Sequence, residues 1–199
     1  MAGAFPISTA QFTSLGIKSI QNTIISKSVS GKKLARQIDG QRWAFTIQII
    51  TAKRSDVYGD LMAFIVKQRS GKENFTIVPP EITDARGTAS GTPNGTASAG
   101  ATSITLGGSG TGTLKAGDFI KFASHDKVYM VVADQSDIST GSLTIEPPLT
   151  TAVSSSDIQF DNVPFTVHLT NDIQEFGAVG NDKDGNLLYQ FELDVEETL

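Results

Sequence analysis

Arg42-Trp43-Ala44-Phe45-Thr46-Ile47-Gln48-Ile49 is the stretch on which the fold turns. Trp43, Phe45, Ile47 and Ile49 recur at every second position, and Arg42, Thr46 and Gln48 stand between them. A pleated strand sends successive side chains to opposite faces, so this spacing predicts a strand with one buried and one wetter face. Upstream, Phe12, Leu15, Ile17, Ile20, Ile24 and Ile25 alternate more loosely, and their β-branched content favours strand across Phe12–Ile25. Ser28 to Lys33 reads as a polar turn around Gly31.

Downstream the period changes. Val57, Leu61, Phe64 and Ile65 fall at i, i+4, i+7 and i+8, which predicts an amphipathic helix over 56–68. Ser55 is the expected N-cap, Asp56 suits the positive end of the helix dipole, and Gly71 is the expected stop. Phe75-Thr76-Ile77-Val78 returns to strand, and Pro79-Pro80 ends it.

An abrupt shift in composition follows. No charged residue lies between Arg86 and Lys115, and no aromatic between Ile82 and Phe119. Gly, Ala, Ser and Thr dominate this tract, which suits a flexible linker, although Ser103-Ile104-Thr105-Leu106 keeps a short alternation. Short strands then alternate with turns: Phe119–Phe122, Val128–Val132, Leu143–Ile145 and one starting at Ile158. Such spacing without a helix predicts a small barrel or sandwich. Two longer strands close the chain, Val163–Leu169 and Leu187–Val195, with Asn181–Asn186 as the hairpin loop linking them. Their length and amphipathicity match the Trp43 strand, which they are expected to join in one sheet. The fold class is therefore mainly β with one short α-helix. Residues 1–83 plus 161–199 form one discontinuous domain, and 84–160 form an inserted small barrel.

Composition removes several function classes. The formal charge is −5, opposite in sign to a typical nucleic-acid binder. There is no cysteine, hence no disulfide, cysteine-ligated metal or thiol nucleophile. No run approaches the roughly 20 apolar residues of a membrane helix, so no membrane insertion is expected. The start, Met1 to Pro6, has no basic segment before an apolar run, so no secretory signal is expected and synthesis in a cytoplasm is the simplest reading.

No catalytic set stands out, and no enzyme, metal or cofactor is expected. His125 and His168 are the two histidines, and Ser124-His125-Asp126 are neighbours whose side chains are not expected to converge as a triad. Gly107 to Gly112 fits neither phosphate-loop spacing and reads as a flexible loop. Asp182-Lys183-Asp184-Gly185-Asn186 opens like a calcium loop but carries Leu187 and Leu193 where such a loop needs Gly and Glu; a hairpin turn is the better reading. Glu192, Asp194 and Glu196 alternate on one strand face, either as a solvated face or as an inter-subunit or lumen-facing row. Lys27, Lys32, Lys33 and Arg36, with Arg42 beyond, read as a solvated basic loop or a contact for an acidic partner.

Ser30-Gly31-Lys32, Arg36, Gly40-Gln41-Arg42-Trp43-Ala44-Phe45, the short helix Asp60–Phe64 and the strand ending in Pro79-Pro80 together resemble a siphophage distal tail protein. Leu114-Lys115-Ala116-Gly117-Asp118-Phe119-Ile120, Lys127–Val131 and Pro147-Pro148-Leu149 resemble a module of such proteins. The T5-like distal tail protein, with an inserted OB-like barrel, is the relative this points to. The resemblance implies a homo-hexameric ring in the tail of a virion, joining the tail tube protein to the tip or baseplate hub protein. DNA would only pass through its channel, and a mildly acidic wall suits that passage. The long C-terminal strand is expected to pair beyond its own chain. The inserted barrel would project outward toward side fibres or host surface glycan. OB-like barrels bind oligosaccharides, so Phe119, Phe122 and Tyr129 are the possible ligand face, and a carbohydrate-binding adhesin or decoration module is the alternative function.

Overall fold

A computed structural model of the chain describes residues 3–6, 11–37 and 40–199. The expected strand Phe12–Ile25 is two strands, β1 (Phe12–Ile20) and β2 (Thr23–Lys27), broken at Gln21 and Asn22. Strand β2 turns back on β3 (Lys33–Gln37) as a two-stranded hairpin, so the basic stretch is a paired ribbon and not a loop. Strand β4 (Arg42–Lys53) buries Trp43, Phe45, Ile47 and Ile49, as its alternation predicts. Each such side chain taken out of water contributes about 1.5–3 kcal/mol.

A π-helical turn, Arg54–Tyr58, leads into α1 (Gly59–Lys67). Ser55 therefore lies inside the turn and caps nothing; its hydroxyl meets Asp56 instead. Gly71 is not the stop either. Arg69 and Ser70 take the left-handed conformation that ends the helix, while a Cβ on Gly71 would meet the Leu169 carbonyl oxygen at 2.7 Å. Strand β5 (Phe75–Ile77) follows.

The next six strands are β6 (Pro93–Ala97), β7 (Ser103–Gly108), β8 (Phe119–Phe122), β9 (Val128–Val131), β10 (Ser142–Glu146) and β11 (Val153–Gln159). They close a barrel in the order β10-β7-β6-β11-β8-β9 around Ile104, Ile120, Phe122, Tyr129, Val131, Leu143 and Ile145. The Gly/Ser/Thr tract is part of this construction. Residues 88–92 run antiparallel to 109–113, with hydroxyl pairs Thr88–Thr113, Ser90–Thr111 and Thr92–Ser109 across the ribbon. Glycine makes the approach possible: a Cβ on Gly112, where φ is +89°, would lie 2.1 Å from the Thr88 carbonyl oxygen. The Gly107–Gly112 stretch is thus half of a paired ribbon. Its signature in the sequence looks like that of a linker.

Strands β12 (Phe165–Leu169), β13 (Ala178–Asn181) and β14 (Leu187–Glu197) return to the first sheet, whose order is β1-β4-β14-β12-β5 with β13 beside β14. Two expectations change here. The 182–186 turn joins β13 to β14, not β12 to β14. Strand β14 lies inside the sheet, held by β4 along one side and by β13 and β12 at the two ends of the other, so it is not the edge strand that pairing with another chain was expected to use. At the far end, residues 3–5 lie along β5, with Phe5 N–H donating to the Thr76 carbonyl at 2.8 Å. Among the described residues, no helix is long and apolar enough to cross a membrane.

Candidate functional site

The face of β4 that the alternation leaves polar meets the polar face of β14 in register, with Gln48 opposite Glu192 and Thr46 opposite Asp194. Each carboxylate is engaged. Gln48 Nε2 donates to Glu192 at 2.9 Å and receives the Ser14 hydroxyl at 3.1 Å on its oxygen. Thr46 Oγ1 donates to Asp194 at 2.7 Å and accepts from Lys18 Nζ at 3.2 Å. Arg42 pairs with Glu196 at 2.8 Å. The three acidic residues therefore do share one face, and the structure builds them into rungs that run across β1, β4 and β14. Direct cross-strand partners of this kind are worth a few tenths of a kcal/mol to about 1 each. His168 lies opposite Glu196 on β12, and its Nδ1 faces the Thr198 hydroxyl at 3.0 Å.

The opposite face of the same strands carries a feature the sequence reading missed. Phe191, Leu193 and Val195 point to the core, and Glu197 has the same parity. Its carboxylate is fully buried and pairs with Lys127, itself 3% exposed, from the barrel. The other contacts are dense. Val128 N–H donates to Glu197 Oε1 at 2.8 Å, Trp43 N–H to Oε2 at 3.2 Å, and Lys127 Nζ to Gln41 Oε1 at 3.0 Å. The Trp43 indole N–H reaches the Val128 carbonyl at 3.0 Å, and the ring stands edge-on to Phe119 at 5.1 Å. Phe119 in turn meets Phe165 at 5.5 Å. Burial pushes the Glu197 carboxyl up and the Lys127 amine down, each against the pull of its partner. A signal was present in the sequence: a carboxylate at core parity requires a partner. Its identity, 70 residues away, was not.

Phe119, Phe122 and Tyr129 are all buried, at 4%, 0% and 0% exposure. Phe119 belongs to the junction, and the other two fill the barrel core. A sugar-stacking platform needs an open ring face, so these three residues do not form the ligand face expected of them. The Tyr129 hydroxyl is held by the Thr150 N–H at 3.1 Å and by His125 Nε2 at 2.8 Å. Ser124 Oγ does reach His125 Nδ1, at 3.1 Å, against expectation for sequence neighbours. The third member departs: Asp126 pairs with Lys121 at 2.9 Å, which holds its carboxyl below the usual range. The imidazole thus has a phenol where a triad needs a carboxylate. In the calcium-like segment, the Asp182 carboxylate accepts from the N–H groups of Asp184 and Asn186, both at 2.8 Å, and pairs with Lys53. It organises a turn.

Among the described residues, the β2–β3 hairpin has no strand partner beyond itself. Ile24, Ile25, Val29 and Leu34 are all more than half exposed on it. Four of the sixteen basic residues of the chain lie in 23–37 and none of its twenty-one acidic ones, so the remainder carries twelve against twenty-one, a formal charge of −9. An isolated two-stranded ribbon is marginal in water, and exposed apolar side chains on a basic ribbon suit a contact with an acidic surface.

No curated protein matches this chain. Residues 82–163 match the family model described as distal tail protein pb9, B domain, so the barrel is similar to a domain of a phage distal tail protein.

Proposed function

We propose that the chain is a structural component of a phage tail, a distal tail protein whose copies close a ring, six by its resemblance to that family. Residues 1–83 with 161–199 form the ring body, and 84–160 stand as an inserted barrel facing outward, toward side fibres. The ring joins the tail tube to the tip or baseplate hub, and DNA only passes through it. The observation that carries this reading is the match of residues 82–163, which falls on the barrel and its two connections to the sheet. The exposed hairpin supports self-association: a basic, apolar ribbon on a chain whose remainder is acidic fits a second copy head to tail. A head-to-tail contact closes into a ring when its rotation permits. The burial of Phe119, Phe122 and Tyr129 counts against the glycan-binding alternative.

Light scattering across a concentration series, followed by negative-stain imaging, tests the proposal. Rings of six are expected, weakening as salt screens the hairpin contact. Replacing Ile25 and Leu34 with Lys is expected to leave the melting temperature in place and to abolish the rings. A chain that stays monomeric at every concentration, alone and with tube and hub proteins present, overturns the ring.

A further inference from the structure

We propose that the buried Lys127–Glu197 pair is an orientation key that fixes the barrel at one angle on the sheet, making it a rigid outrigger. The inference stands on the chain's own geometry and holds whether or not the chain builds a tail. Three observations carry it. Glu197 and Lys127 come from the two different units and are 0% and 3% exposed, so while the units are docked neither can turn to water and each depends on the other. Both carboxylate oxygens of Glu197 are used, one on the Val128 N–H and the other on Lys127 and the Trp43 N–H. That set fixes the strand end of β9 against β4 in direction as well as distance. The aromatic contacts of Trp43, Phe119 and Phe165 lie beside it, but rings slide and tilt over one another at small cost, whereas a buried charge has one place to go. Burial of an ion pair is a poor source of stability and a good source of uniqueness, because misplacing either partner strands a charge.

The key also ties the barrel to the polar ladder. Glu196 and Glu197 are consecutive and face opposite sides of the sheet, as are Arg42 and Trp43. The Arg42–Glu196 rung and the Lys127–Glu197 key are therefore set by the same two strand ends, and the angle of the barrel is defined relative to the ladder.

The absence of cysteine allows two introduced labels to be the only ones. Spin labels at Thr51→Cys on β4 and Thr105→Cys on β7, both exposed positions, report the distance between the units in the full chain. Without further change, one narrow distance is expected. Lys127→Met combined with Glu197→Gln removes both charges while leaving a side-chain oxygen for the Val128 N–H. In that variant the expected result is a melting temperature within a few degrees and a wide spread of distances or a second narrow one. An unchanged narrow distance in the folded variant overturns the proposal and hands the orientation to the aromatics. A wide spread before any pair is removed overturns it as well. Should the double variant not fold, Glu197→Gln alone is read in the same way.

Discussion

Tyr58 carries a hydroxyl into the core behind α1, with its ring 5.7 Å from that of Tyr189. Among the described residues the hydroxyl has no hydrogen-bond partner, and burial pushes its pKa up to about 12. A buried donor without a partner costs what it lost in leaving water, so Tyr58→Phe is expected to hold stability level or raise it by about 1 kcal/mol. Urea unfolding with an unchanged m-value checks this, and a clear loss would mean the hydroxyl is satisfied by water. His125 titrates in the opposite sense to an ion-paired histidine. Burial against Phe122 and Tyr129 lowers its pKa below 6.5. Its contribution is fully present above pH 6.5 and is lost as pH falls from there toward the lower folded value, since the unfolded chain takes the proton first. Melting temperatures from pH 7.5 to 5.5 should fall on acidification, and His125→Gln should flatten that slope. At this scale the sequence speaks through parity. It placed Trp43, Phe45, Ile47 and Ile49 inward and Glu192, Asp194 and Glu196 on one outward face. It also put Glu197 inward, a clue whose meaning depends on a lysine brought near only by folding.

Elements were legible where their period was strong and where local chemistry agreed with it. Strand β4 and helix α1 emerged for that reason, yet the helix ends did not. A π-helical turn displaced the Ser55 cap, and left-handed Arg69 and Ser70 did the work assigned to Gly71. The Gly/Ser/Thr ribbon was illegible because its order comes from cross-strand hydroxyls and close backbone approach, which leave no apolar pattern. Its glycines give a direct contrast. Gly112 and Gly100 both have positive φ, at +89° and +82°, but a Cβ on Gly100 meets nothing within 4 Å. Gly100→Ala should cost only the conformational strain of about 1–2 kcal/mol. Gly112→Ala must in addition push apart the 88–92 and 109–113 backbones, and its melting temperature should drop well below that of Gly100→Ala. Equal losses would show that the ribbon opens at no cost.

At the scale of the whole molecule, the composition shift suggested a flexible linker. The core of the sheet instead runs on into the barrel through Phe119 and Val128. Units that share buried side chains unfold together, so calorimetry should give one transition. Phe119→Ala empties the junction and is expected to cost about 3–5 kcal/mol; the transition should then split as the barrel and the sheet melt separately. Two transitions in the unaltered chain would mean that the junction is too weak to couple them.

The short run of residues 3–5 beside β5 has a consequence for what this chain avoids. Stacking of sheets into fibrils requires each molecule to take a neighbour on both flanks. Here residues 3–5 already lie along β5 on one flank, and among the described residues β1 on the opposite flank has β4 as its strand partner. A further strand joining this sheet is therefore expected at β1, with three residues of the chain's own backbone turning it away from β5.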